Sequence, residues 1–226
     1  YDLALLQDPA SPAALAGRGD ALMAENDAAA ASMAYEKALQ GEPDNLRALL
    51  GGSYARLESS RPEKALQLLD RARAIDPQNI RAWLLGGDAR YAMDDCAASL
   101  QDYDEALELD SNSSDAWAGR GDALYCAGDL VQANASYSRS LSLQPKSSRA
   151  LLGLGDINYA AGQYSQSLSY YRQAAPSDPR SVRSYNGQGN ALCAIEEYNQ
   201  SLPLFDRSLA IDPHNGEALL GKGLAL

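Results

Sequence analysis

Residues 114–147 read SDAWAGRGDALYCAGDLVQANASYSRSLSLQPKS, and this stretch decides the fold. Trp117 is followed four residues later by Gly121, then Ala133 and Tyr137 stand four apart with Ser140 three further on, and Pro145 closes the stretch. Spacings of three and four place side chains on one face of a helix. Two helices fit, one on each side of the Gly128 turn, with proline stopping the second.

The pattern recurs outward in both directions. Pro9, Pro43, Pro77, Pro145, Pro179 and Pro213 share one position of a 34-residue period whose single vacancy is Ser111. With proline at about one residue in twenty, such a coincidence arises on the order of once in a million, so the period is real. Slots are counted here from Pro12, Leu46, Ile80, Ser114, Ser148, Val182 and Gly216. Slot 4 is large and apolar: Leu15, Leu49, Trp83, Trp117, Leu151, Tyr185 and Leu219. Slot 8 is small, as Gly19, Ser53, Gly87, Gly121, Gly155, Gly189 and Gly223, and slot 20 is Ala or Ser from Ala31 to Ser201. Slot 24 is Tyr1, Tyr35, Leu69, Tyr103, Tyr137, Tyr171 and Phe205, and slot 27 is Ala4, Ala38, Ala72, Ala106, Ser140, Ala174 and Ser208. Helices are therefore predicted over slots 2 to 14 and 17 to 30. Small residues let neighbouring backbones approach, and the large ones fill the space beside them. One helical pair cannot bury its apolar face alone, so neighbours must stack.

These offsets of Trp, Gly, Tyr, Ala, Phe and Pro resemble the tetratricopeptide repeat family along the whole chain. The resemblance implies an all-α fold, an α-α superhelix or solenoid of helix-turn-helix repeats, with no catalytic role and a groove that holds another protein or peptide. Slot 7 departs from the family's Leu, with Arg18, Gly52, Gly86, Arg120, Gln188 and Lys222, and Leu only at Leu154. The resulting phrase at Gly17–Leu22, Gly119–Leu124 and Gly221–Leu226 is similar to members from archaea and bacteria. The expected organisation is a single array over 1–226: partial repeats 1–11 and 216–226 flank complete repeats 12–45, 46–79, 80–113, 114–147, 148–181 and 182–215. The ragged ends read as an excerpt of a longer array, with apolar end faces suited to end-to-end self-association.

Composition narrows the partners. Nineteen basic against thirty acidic residues give a net charge of −11, the wrong sign for tracking phosphates, so no nucleic acid is expected. No run of apolar residues reaches the length of a membrane span. The opening at Tyr1, without Met or signal pattern, predicts that the natural N-terminus is missing; the compartment is undetermined, with the cytoplasm favoured over secretion. Cys96, Cys126 and Cys193 fit neither a zinc pattern nor a disulfide framework and read as isolated thiols.

Nothing assembles a catalytic set, and no cofactor or metal is expected. The one histidine, His214, stands in a turn directly after Pro213. The Gly-x-Gly phrases lie inside predicted helices, not between a strand and a helix, and so cannot cradle phosphate. Asp94-Asp95 and Glu196-Glu197 fall between helices, where acidic groups favour the start of the second. Pro203, inside a predicted second helix, implies either a start delayed to Ser201 or a kink at 199–203.

In the family the first helices line the concave face, with slots 2, 5, 6, 9, 12 and 13 pointing into it. Here slot 9 gives Asp20, Tyr54, Asp88, Asp122, Asp156 and Asn190, and slot 12 gives Met23, Leu57, Tyr91, Tyr125, Tyr159 and Cys193. Slot 2 carries Arg47, Arg81, Arg149 and Arg183, and slot 6 is Gly in all copies but Leu85. The candidate contact residues are Asp88, Tyr91, Asp122, Tyr125, Asp156, Tyr159, Asn190, Arg149 and Arg183. Two readings stand open. The Asp ladder either accepts from a ligand or pairs with neighbouring slot-2 arginines; the slot-6 glycines either admit a ligand backbone, or help first helices approach, or record duplication. The expected partner is a protein or peptide with a basic or neutral segment. The grip on a C-terminal carboxylate used by chaperone-tail-binding members is not expected, because slot 5 is mostly Ala or Leu.

Overall fold

The protein is described by a computed structural model covering residues 1–226, the side chains at positions 2 and 4 excepted. Ala4, assigned to slot 27, thus lies outside the described side chains. The described residues form fourteen α-helices and no strand: α1 (Asp2–Gln7), α2 (Pro12–Ala24), α3 (Ala28–Gly41), α4 (Leu46–Glu58), α5 (Pro62–Ile75), α6 (Ile80–Tyr91), α7 (Cys96–Leu109), α8 (Ser114–Cys126), α9 (Leu130–Leu143), α10 (Ser148–Ala160), α11 (Tyr164–Ala174), α12 (Val182–Ala194), α13 (Tyr198–Ile211) and α14 (Gly216–Ala225). Every first helix opens at slot 1, and every second helix after the partial α1 opens at slot 17, within a residue of the periodicity's prediction. This is an all-α solenoid of helix-turn-helix repeats.

Local chemistry sets those boundaries. At the start of first helices, Asn45, Ser113, Ser147, Ser181 and Asn215 each accept the backbone N–H three residues on. Asp27, Asp95 and Asp129 do the same for second helices, satisfying one of the donors a helix start leaves unpaired. The acidic pair Asp94-Asp95 therefore splits its work: Asp95 caps while Asp94 takes a left-handed turn with φ 58°. Position 15 of the repeat is left-handed throughout, at Asn26, Ser60, Asp94, Gly128, Gly162 and Glu196. Glycine fits that backbone without cost, whereas the other side chains are held there against their preference.

The chain packs as two compact units, residues 1–111 and 112–226. The boundary falls at Ser111, the vacancy in the proline series. Inside each unit the first helices touch one another, α2 on α4 on α6 and α8 on α10 on α12 on α14, whereas second helices touch only first helices. The layer of first helices is thus the tighter, concave side of each unit.

At four repeat junctions the core is a ring between two glycines. The fully buried Tyr137 ring lies where a Cβ on Gly121 would come within 2.5 Å of it and a Cβ on Gly153 within 2.2 Å. Tyr171 is flanked likewise by Gly155 and Gly187, Tyr35 by Gly19 and Gly51, and Phe205 by Gly189 and Gly221. Slot 8 of one repeat and slot 6 of the next make room for the slot-24 ring. This accounts for the slot-6 glycines, and no ligand backbone is needed to explain them. Where slot 24 is Leu69, the flanking residues are Ser53 and Leu85, so the exceptions to all three slots occur at one junction.

Slot 7 has a comparable logic in the first unit. A Cβ on Gly86 would fall 1.6 Å from Nη2 of Arg73, whose guanidinium lies 4.2 Å from the Trp83 ring centroid. Nη2 donates to Asp102 Oδ2 at 2.8 Å and to the Ala82 carbonyl at 3.1 Å, and Arg90 also pairs with Asp102. A buried carboxylate held by two arginines replaces the apolar contact usual at this slot.

Two expectations need correction. Helix α13 starts at Tyr198 and runs on past Pro203, so the late start at Ser201, one of the two outcomes expected there, does not occur. Pro203 stands close to the helix start, where it removes a single backbone bond, and Phe205 two residues on is locked between its glycines. Of the cysteines, Cys193 is a free thiol but Cys96 and Cys126 are not. Through-space geometry, which linear spacing does not carry, governs that chemistry.

Candidate interaction site

On the concave side of the second unit the slot-24 hydroxyl, the slot-9 carboxylate and the next repeat's slot-2 arginine form a clasp. Tyr137 Oη donates to Asp122 Oδ1 at 2.6 Å, and Arg149 donates to Oδ2 of the same carboxylate. Asp122 is 4% exposed. One junction on, Tyr171 Oη donates to Asp156 Oδ1 at 2.5 Å, and Arg183 donates through Nε at 3.0 Å and through Nη2 to Oδ2. The first unit carries the clasp at Tyr35, Asp20 and Arg47, and Tyr103 Oη donates to Asp88 at 2.6 Å. The pairing reading of the Asp ladder therefore describes Asp20, Asp122 and Asp156. They tie one repeat to the next.

The electrostatics agree. Burial, then the Asp156 charge and hydrogen bond, hold the Tyr171 phenol well above its ordinary range. Burial works against the charge on Arg183, but the Asp156 carboxylate outweighs it and the guanidinium is raised.

The last junction keeps the geometry with different chemistry. Phe205 has no hydroxyl, slot 9 is Asn190 and slot 2 is Glu217. Asn190 Nδ2 donates to Glu217 Oε1 at 2.6 Å and Asn186 Nδ2 to Oε2 at 3.0 Å. Among the described residues no cation pairs with Glu217, whose partners are the neutral amides of Asn186 and Asn190.

A recess of about 290 Å³ opens here, lined chiefly by Tyr125, Asp156, Tyr159, Arg183, Asn190 and Glu217. Tyr159, 37% exposed, packs edge-on against Tyr164 with ring centroids 5.2 Å apart. Partial burial pushes the Tyr125 phenol up, with the Asp156 charge adding to it, and the Tyr159 phenol likewise, with Tyr164, Cys193 and Glu217 adding. Neither hydroxyl has a hydrogen-bond partner among the described residues. Two half-exposed phenols, a neutralised Asp–Arg pair and one carboxylate without a cation can stack on apolar stems, exchange hydrogen bonds with a peptide and hold a positive group.

Of the nine candidate residues, five meet at this recess: Tyr125, Asp156, Tyr159, Arg183 and Asn190. Asp122 and Arg149 pair beside it without lining it, and Asp88 and Tyr91 belong to the other unit. Glu217 was missed, although its signal is in the sequence: with Asp115 it is one of two acidic residues in a slot that is arginine in four of seven copies.

With this geometry in hand, the comparisons with known proteins can be read. Family models described as tetratricopeptide repeat match residues 22–87 and residues 84–141 and 127–182. The chain belongs to the tetratricopeptide repeat family. A search of curated proteins finds no match. Among solved structures, a chain of the APC/C hetero-tetramer Cut9-Hcn1 superposes with TM-score 0.87 at 14% identity, over 98% of this chain and 44% of that one. This chain thus spans less than half of that relative. PilF of Pseudomonas aeruginosa gives TM-score 0.70 at 19% identity, covering 94% of this chain and 96% of its own. YrrB, a TPR protein with an unusual peptide-binding site, gives 0.52 at 18% identity, over 85% and 99%. These likenesses concern the fold. The family and fold make the chain a protein-interaction scaffold, and no helix among the described residues is long and apolar enough to cross a membrane.

Proposed function

We propose that the concave face of the second unit holds an extended segment of a partner protein carrying Lys or Arg, without catalysis. The observation that carries this reading is the recess in which the Tyr125 and Tyr159 hydroxyls lack partners beside Glu217, a carboxylate with no cation of its own. Tyrosine supplies rigid contact area at small entropic cost, and an uncompensated carboxylate favours a cationic side chain over an anionic one. A free C-terminal carboxylate is disfavoured at the same place.

Truncating a buried aromatic anchor typically costs about 2 kcal/mol, roughly thirtyfold in affinity. Tyr125→Ala and Tyr159→Ala are each expected to weaken a Lys-containing partner segment by about that factor. Each variant should remain folded in a thermal melt, since neither hydroxyl bonds within the described residues and the Tyr159 ring, 37% exposed, gives up only its edge contact with Tyr164. Titration calorimetry with both variants decides the matter. Undiminished binding by both would remove the recess as the site.

End-to-end self-association is the second reading. It draws on the exposure of Leu219, Leu220 and Leu224 on α14, 53%, 66% and 71% respectively. Sedimentation equilibrium should then show a mass that rises with concentration. A constant monomer mass at high concentration rejects it.

A further inference from the structure

In the first unit one clasp is open. Arg47, Arg149 and Arg183 each donate to the slot-9 Asp of the preceding repeat. Arg81 occupies the same slot, but the residue facing it from the preceding repeat is Tyr54. Leu69 at slot 24 brings no hydroxyl either. Among the described residues Arg81 makes no ion pair and no side-chain hydrogen bond, and neither Glu58 nor Asp88, the carboxylates acting on Tyr54, reaches it.

Arg81 lines a recess of about 530 Å³ on the concave side of this unit, with Tyr54 and the apolar side chains of Met23, Leu46 and Leu50. Tyr54 is 38% exposed. Burial raises the Tyr35 and Tyr54 phenols and the Arg81 charge acts against that rise at both; all three residues line the one recess. The other arginine there, Arg47, is already neutralised by Asp20. One cation is left over, and it stands against an apolar wall.

We infer that this recess is a second, separate binding site, in which the side-chain carboxylate of an Asp or Glu in a partner protein segment pairs with Arg81 while adjacent apolar residues of that segment lie on Met23, Leu46 and Leu50. The ligand carboxylate takes the place that Asp20, Asp122 and Asp156 hold at the complete clasps. Charge complementarity selects the occupant: a guanidinium presents a donor fork matched to a carboxylate, and the geometry for receiving one is already built into this slot elsewhere in the chain. The site shares with the reading of the second unit only the premise that first-helix faces receive ligands.

The test uses the full chain and short peptides of Ala, Leu and Ser, acetylated and amidated so that no terminal charge contributes, with a single central Glu or Gln. Fluorescence anisotropy should place the Glu peptide about tenfold tighter than the Gln peptide, as for a hydrogen bond to a charged group. Arg81→Gln should erase the difference. Tyr54→Asp should erase it as well, by supplying the missing acceptor from within the chain, and it should not lower the melting temperature. Tyr54→Phe should keep the preference. Tyr125→Ala, in the other unit, should leave these affinities unchanged, so that failure at one site is distinguishable from failure at the other. Equal binding of the Glu and Gln peptides, no binding by either of them, or a preference that survives Tyr54→Asp would overturn the inference.

Discussion

Replacing Gly153 by alanine is expected to destabilise the second unit by about 2 kcal/mol, although alanine is the better helix former by about 1 kcal/mol. The new methyl carbon would lie 2.2 Å from the Tyr137 ring, and the ring cannot retreat because Gly121 already meets it from the other side. Overpacking a filled core costs about 1–3 kcal/mol; at this separation the upper part of that range applies and exceeds the gain in propensity. Gly223 is the control. Nothing lies within 4 Å of a Cβ placed there, so Gly223→Ala is expected to stabilise by up to about 1 kcal/mol. Opposite signs for one substitution at two helical glycines test the wedge directly. Because stacked repeats need not unfold in one step, the readout is hydrogen exchange in increasing urea, at amides of α8 and α10 for Gly153→Ala and of α12 and α14 for Gly223→Ala. Two losses, or two gains, would refute the steric account.

Asp122→Ala is expected to cost about 3 kcal/mol, the lower end of the range for breaking a buried ion pair, since Arg149 is 31% exposed while Asp122 is 5% exposed at its side chain. The loss leaves a buried phenol and a half-buried guanidinium without their acceptor. Asp122→Asn keeps an acceptor oxygen for Tyr137 and gives up only the charge, so its loss should be smaller. Affinity for a Lys-containing segment should be unchanged in the Asn variant, because Asp122 does not line the recess. Chemical denaturation and calorimetry on the two variants separate these roles. A well-folded Asp122→Asn protein with lost affinity would make Asp122 a contact residue after all.

The fold was legible in the sequence because a repeat states its spacing several times over. Errors at one copy, such as Ser111 for proline, are outvoted by the others. Helix limits followed from capping chemistry, which is local. The site was less legible. The Asp and Tyr ladders were visible as columns, but whether a carboxylate faces a ligand or a neighbouring arginine depends on two side chains meeting across a repeat boundary. The slot-6 glycines were puzzling for the same reason, since their partner ring comes from the preceding repeat. The late start allowed for at Pro203 did not occur because proline's effect depends on its distance from the helix start, and the cysteines were misread because their chemistry is set through space.

The five-residue junction also says where such a chain can be cut and rejoined. Gly121, Asp122, Tyr137, Arg149 and Gly153 act as a set, and so do Ser53, Tyr54, Leu69, Arg81 and Leu85 at the exceptional junction. Dividing the chain at its turns would split every set, because Tyr137 would travel with one repeat and Gly153 with the next. A window that opens in the middle of a first helix, as residues 121–154 or 53–86, carries its set whole. Grafts exchanged between positions of the array along those mid-helix limits should keep their fit, and grafts limited by the turns should import a mismatched seam. The inheritable piece of this architecture is the joint between neighbours, out of phase with the repeat that the eye picks out.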